Sequence, residues 1–194
     1  KGNGTPSISA QVAWVKIDNC VVSWNMGIGV LIQGVAHQSH ITGATLIEKN
    51  GRGCPKAASL SNIINNRAQV FITQYGLTVG YPTNHVIDGS TTIQTGDDVW
   101  DTRSGSYACA VSAEGAQAVT VQNCWIESND IFFWMSQAAG GALPSGINIK
   151  DNFISDTDTY AIPLFVGKGI VISGNKFYQA TAHGIGVYIN SAAA

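Results

Sequence analysis

A short motif returns along most of the chain, and its return limits the fold more than any other feature. Five segments align: Val15–Val22, His40–Leu46, Val119–Ile126, Ile147–Ile154 and Ile170–Phe177. Each reads as a brief strand, a polar residue, a corner of Asn, Gly or Asp, and one more apolar position. The anchoring Ile or Val falls at 17, 41, 121, 149 and 172. Weaker copies at Ile64-Asn65-Asn66 and Ile87-Asp88-Gly89 fill the interval. The spacings then run 24, 23, 23, 34, 28 and 23 residues. A second apolar stretch follows about ten residues after several anchors, as in Gly27–Ile32 and Gly184–Ile189. The alternation has period two, and no helical period persists beyond a turn or two.

A period near 23 residues is too short for a propeller blade, and the Leu framework of a leucine-rich repeat is missing. The expected fold is all-β: a parallel β-helix of about seven coils, with equivalent residues stacked ~4.8 Å apart. The competing antiparallel sandwich would not require a constant period. Corner Asn and Gly tolerate left-handed backbone. Stacked Asn19 and Asn123 are expected to form side-chain ladders. The whole chain, 1–194, reads as one solenoid domain with an irregular excursion at about 94–116, in the widest interval. The chain opens at Lys1 without an initiator Met and closes on Ala192–Ala194, and it reads as a piece of a longer protein.

Composition removes several classes of function. Charged residues make up 11% of the chain, under half the usual ~25%. The 45% apolar content excludes disorder. No run of 18 apolar residues exists, so membrane insertion by a helix is not expected. Ten basic residues face twelve acidic ones, which leaves no basic field for nucleic acid. Cys20, Cys54, Cys109 and Cys124 form no Cys-x-x-Cys pair, so no zinc site is expected. Cys20 and Cys124 sit in hydrophobic frames and read as buried thiols. His37, His40, His85 and His183 lack metal-ligand spacing and read as surface or corner residues. No calcium-loop pattern is present. Neither a metal nor another cofactor is expected.

The Ile-x-Asn/Gly-Asn/Cys-x-Ile/Phe coils resemble the right-handed parallel β-helix of the pectin-lyase-like superfamily over residues 8–190 or so. That superfamily includes pectate lyases, polygalacturonases and bacteriophage tailspikes. The low charge and the Ser/Thr/Asn/Gln/Gly-rich surface look most like a tailspike or tail-fibre depolymerase fragment. The resemblance implies a homotrimer, a virion or extracellular location, and bacterial surface polysaccharide as partner. Gly96-Asp97-Asp98 is similar to the polygalacturonase Gly-Asp-Asp element. The Gly-His-Gly and Arg-Ile-Lys elements of that family have no counterpart, so a polygalacturonase or lyase is a minor alternative.

Stacking turns sequence offset into neighbourhood. Residues six to nine past the anchors place Glu127, Asp130, Asp156 and Asp158 on one outer patch as candidate catalytic carboxylates. Glycoside hydrolysis needs two carboxyls, ~5–5.5 Å apart for retention or ~6.5–9.5 Å for inversion. Crowding raises one pKa and supplies the acid. Tyr178 on the next rung is a candidate sugar contact. A second candidate substrate-binding group is Asp97, Asp98, Trp100, Asp101 and Arg103 in the excursion, where Trp would stack on a pyranose and Arg would hold a carboxylate. Ile47, Val70 and Ile93 share the six-past position and predict an outward apolar stripe suited to a trimer seam. Two functions follow: a polysaccharide-cleaving enzyme, or a non-enzymatic carbohydrate-binding or structural adhesin. The fold does not choose between them.

Overall fold

The computed structural model describes residues 12–25, 27–33, 36–50, 68–73, 83–89, 92–94, 109–127, 129, 131–138, 141–157, 160–180 and 185–190. Among them every ordered element is a strand, and every strand pair is parallel. The strands lie on three faces, visited in the same order by each coil. The first face holds Lys16–Asp18, His40–Thr42, Thr83–Asp88, Gln117–Gln122, Asn148–Lys150 and Val171–Ser173. The second holds Val21–Ser23, Leu46–Glu48, Thr92–Gln94, Trp125–Glu127, Phe153–Thr157 and Lys176–Ala180. The third holds Val30–Gln33, Val70–Thr73, Cys109–Glu114, Ile131–Ser136, Tyr160–Leu164 and Ile185–Ile189. Two-residue strands, Val12–Ala13 and Ala36–His37, lead into the first face in coils 1 and 2.

The register explains the motif. Ile17, Ile41, Ile87, Val121, Ile149 and Ile172 pair in one column. Val22, Ile47, Ile93, Ile126, Ile154 and Phe177 form the matching column of the second face. In these columns Ile41, Ile47, Ile87, Ile126 and Ile149 point into the core and are almost fully buried. Each such side chain contributes about 1.5–3 kcal/mol by leaving water. β-branched residues repeat because the same pleated site recurs in every coil.

Ile41 pairs directly with Ile87. Six coils therefore stack among the described residues, and none lies at the position expected for Ile64, which is outside them. The extra length of coil 2 falls between Glu48 and Val70, from the second face to the third. Coil 3 takes its extra length at the same corner, between Gln94 and Cys109. The excursion expected at about 94–116 is thus shorter, because Cys109–Glu114 is already a buried strand of the third face.

At the first corner, one residue per coil adopts left-handed backbone: Asn19, Gly43, Gly89, Asn123, Asp151 and Gly174, with φ from 52° to 68°. These are the residue types that reach this region most cheaply. The hydrogen-bonded ladder stands one residue later than Asn19 and Asn123, which are exposed. Asn152 Oδ1 accepts from Cys124 N at 3.0 Å, and Asn152 Nδ2 donates to Val121 O at 3.0 Å. Asn175 Oδ1 accepts from Asn152 N at 3.0 Å, and Asn175 Nδ2 donates to Ile149 O at 2.8 Å. A second ladder at the next corner joins Asn25, Asn50 and Gln69.

Three side-chain expectations are corrected. Ile47 and Val70 are fully buried, and Ile93 pairs with Ile47 and Ile126 in the inward column. The outward apolar stripe therefore does not exist at those positions. For Ile47 and Ile93 the shift arises because corners such as Gly43-Ala44-Thr45 hold one residue more than Asn19-Cys20 or Asn123-Cys124, whereas Val70 belongs to the third face, paired with Val30. Cys20 is exposed while Cys124 is buried. His85 is 1% exposed, since strand parity places it inward beside Ile87. Its Nδ1 accepts from Ser39 N at 3.3 Å.

Candidate functional site

Outward positions of the second face form two rows. One runs Val21, Leu46, Thr92, Trp125, Phe153 and Lys176. The other contains Ser23, Glu48, Gln94 and Glu127, and continues at Ser155 and Tyr178. Trp125 stacks on Phe153 with ring centroids 4.4 Å apart. Phe153 stacks on Tyr178 at 6.4 Å, with 27° between the planes. Trp125 is 48% exposed and Tyr178 58%. The result is an exposed aromatic strip climbing three coils. Ring stacking follows from the fold, because parallel in-register strands hold neighbouring side chains one rung apart.

Glu127 lies against this strip. Trp125 Nε1 donates to Glu127 Oε2 at 2.7 Å, so the carboxylate and the ring hold each other in place. Asn129 Nδ2 donates to Glu127 O at 2.7 Å and steadies the turn beyond. Of the four proposed carboxylates, only Glu127 has a described side chain. Asp156 stands in the strand Phe153–Thr157 at a register position between Ser155 and Thr157, not in the row that links Ser155 to Tyr178. Asp130 and Asp158 lie outside the described residues. So do Asp97, Asp98, Trp100, Asp101 and Arg103.

Glu48 is the acid that offset counting misses. It pairs with Ser23 and Gln94 in the row of Glu127, two rungs away, and sits 3.6 Å from Lys49 Nζ. Lys49 Nζ also lies 5.3 Å from the centre of the Trp24 ring. The signal was present in the three-residue corner Gly43-Ala44-Thr45, which moves every later residue of that coil by one. Phe153 was equally readable, one rung from Trp125, since both stand four residues past their anchors, Ile149 and Val121.

Acids elsewhere are engaged with neighbours. Asp18 accepts from Lys16 Nζ at 2.9 Å and Thr42 Oγ1 at 3.0 Å. The Lys16 bond chiefly holds its carboxyl below the usual range. Asp88 accepts from Gln122 Nε2 at 2.7 Å and Asn123 Nδ2 at 2.9 Å. Glu114, on the outer side of the third face, accepts from Thr73 Oγ1. The bonds from Thr42, Gln122, Asn123 and Thr73 bridge successive coils.

The parallel register, the three faces and the Asn corners agree with the comparison to known families. The model of the right-handed beta helix region matches residues 2–194. The chain belongs to that family. No curated protein and no solved structure matches it. As a right-handed β-helix the chain is compatible with polysaccharide-binding and pectin-lyase-like proteins. Among the described residues no cluster of His, Cys, Asp or Glu is suited to a metal ion. In the β-helix interior, burial pushes the Cys124 thiol up to about 12, the Asp88 charge adds to this, and the Gln122 backbone opposes it. That thiol is a packing group rather than a nucleophile.

Proposed function

We propose that this β-helix is a bacteriophage tailspike-like protein that binds bacterial surface polysaccharide, capsule or O-antigen, on the outer side of its second face. The observation that carries the reading is the exposed strip Trp125–Phe153–Tyr178 with Glu127 bonded to its edge. Aromatic faces pack against the C–H faces of sugars, and a carboxylate accepts sugar hydroxyls. The strip runs along the solenoid axis, so it suits a linear chain laid lengthwise. An exposed aromatic row of this length in a chain so poor in charge favours a binding surface. Homotrimer formation and a virion location remain part of the proposal through resemblance to tailspikes.

The enzymatic form of the proposal gives Glu127 the role of one carboxyl and draws its partner from Asp130, Asp156 or Asp158. The test is a panel of purified capsule and O-antigen polysaccharides, assayed for binding and for new reducing ends. Trp125→Ala and Tyr178→Ala should each weaken binding by about tenfold, the range of a central contact residue. Glu127→Gln should abolish reducing-end release if the face cleaves, and leave binding within a few-fold. Binding unchanged in both aromatic variants would overturn the site. Binding without release would leave an adhesin.

A further inference from the structure

A second feature runs along the first face. At or just before the first-face strand, one residue adopts left-handed backbone in five of the six coils: Trp14 (φ 62°), Gln38 (56°), Ala118 (52°), Gly146 (64°) and Gly169 (58°). The register aligns them, since Ala13 pairs with His37 and Gln117 pairs with Ser145. Among the described side chains of this column, indole and amide in coils 1 and 2 give way to methyl in coil 4 and to none in coils 5 and 6. The shrinking column opens a trough beside the outward row His40, Val86, Thr120 and Asn148. Its volume is about 390 Å³, within the usual range for ligand sites.

The trough extends from coil 1 to coil 5, four rungs or ~19 Å. Trp14 forms one end and is 78% exposed. A bulky residue at positive φ is a backbone outlier, and such positions gather at functional sites. Val86 and Ala118 make an apolar floor, while Gln38, His40, Thr120 and Asn148 offer hydrogen-bonding groups on its sides. Among the described residues, no Asp, Glu, Lys or Arg lines it. An aromatic end wall, an apolar floor and neutral polar sides match the two-sided chemistry of a sugar: C–H faces and hydroxyl edges.

We propose that this trough is a separate binding site for an uncharged oligosaccharide segment, laid along the axis with one sugar ring stacked on Trp14. The ligand class follows the polysaccharide reading above, whereas the site shares no residue with the second-face strip. Substrate held here would be aligned parallel to the strip, on a neighbouring face of the same solenoid.

The test uses calorimetric titration of short uncharged gluco-, galacto- and manno-oligosaccharides into the wild-type chain, Trp14→Ala, Thr120→Tyr and Trp125→Ala. Thr120→Tyr fills the trough from an outward, half-buried strand position, and a strand accepts an aromatic residue. Melting temperature is followed for every variant. The expected result is a loss of about tenfold or more in Trp14→Ala and Thr120→Tyr, while Trp125→Ala, which removes only binding at the strip, keeps the Trp14-dependent binding event. Loss in either trough variant at an unchanged melting temperature supports the site. Wild-type affinity in both, or no binding of any neutral probe to the wild type, overturns it. Loss confined to Trp125→Ala would overturn the trough and leave the second-face strip standing, so the two readings fail separately.

Discussion

Asn152 accounts for more of the coil geometry than any apolar residue beside it. Its amide satisfies Cys124 N, Val121 O and Asn175 Oδ1 at once, and it is 1% exposed. Asn152→Ala leaves the buried Cys124 N–H and Val121 carbonyl without partners, at a cost of about 2–4 kcal/mol. A drop in urea midpoint with an unchanged slope would show it. His85 predicts a pH dependence. Burial lowers its pKa from 6.5 to about 4, the Ala36 backbone opposes this, and the charges of His37 and His40 add to it. The unfolded chain takes up a proton below 6.5, whereas the folded chain resists until about 4. Stability is therefore complete above 6.5 and falls by about 3 kcal/mol as pH drops through this window. His85→Gln, which cannot protonate, should flatten that slope in urea titrations at stepped pH. The sequence already showed that Asn and Gly make the corners. It did not show which corner residue turns inward, because Asn serves both as a left-handed residue at Asn123 and as a ladder residue at Asn152.

At the scale of the strand, each inward position repeats one packing environment. Ile126 lies between Ile93 and Ile154 in its column and is fully buried. Ile126→Ala removes contacts on both sides, and the expected loss is about 2–5 kcal/mol by thermal or chemical unfolding. Ile126→Val should cost about 0.5–1.5 kcal/mol, since the column tolerates another β-branched residue. Strand identity was legible from alternation alone, and the first-face anchors at 17, 41, 87, 121, 149 and 172 fall on one column. Ile64 lies outside the described residues, and Ile41 pairs directly with Ile87. The outer row of Glu127 was legible only in part. Ser23, Ser155 and Tyr178 keep the offset of a two-residue corner, while Glu48 and Gln94 follow a three-residue corner and shift by one.

Across the whole molecule, stability should not be uniform. Coils 3 to 5 bury their inward residues almost completely, as at Val111, Val121, Phe133 and Ile149. Ile17 and Val22 in coil 1, and Ile172 and Val187 in coil 6, are only partly buried. A solenoid whose coils contact only their neighbours behaves as a row of coupled units. Native-state hydrogen exchange should therefore show greatest protection in Cys109–Glu114 and Ile131–Ser136, with protection falling toward both ends. Equal protection in all coils would contradict this picture. The architecture was visible in the repeat because a solenoid writes its geometry into the chain once per turn. The binding face was not, because a one-residue difference between corners is enough to exchange inside for outside. The same stacking gives the trough on the first face an unusual property. Its extent is counted in whole coils, so duplication or loss of one coil would lengthen or shorten it by a single fixed step. Such a molecule is a ruler for linear polymers, and its capacity can change by integers without redesign of any individual contact.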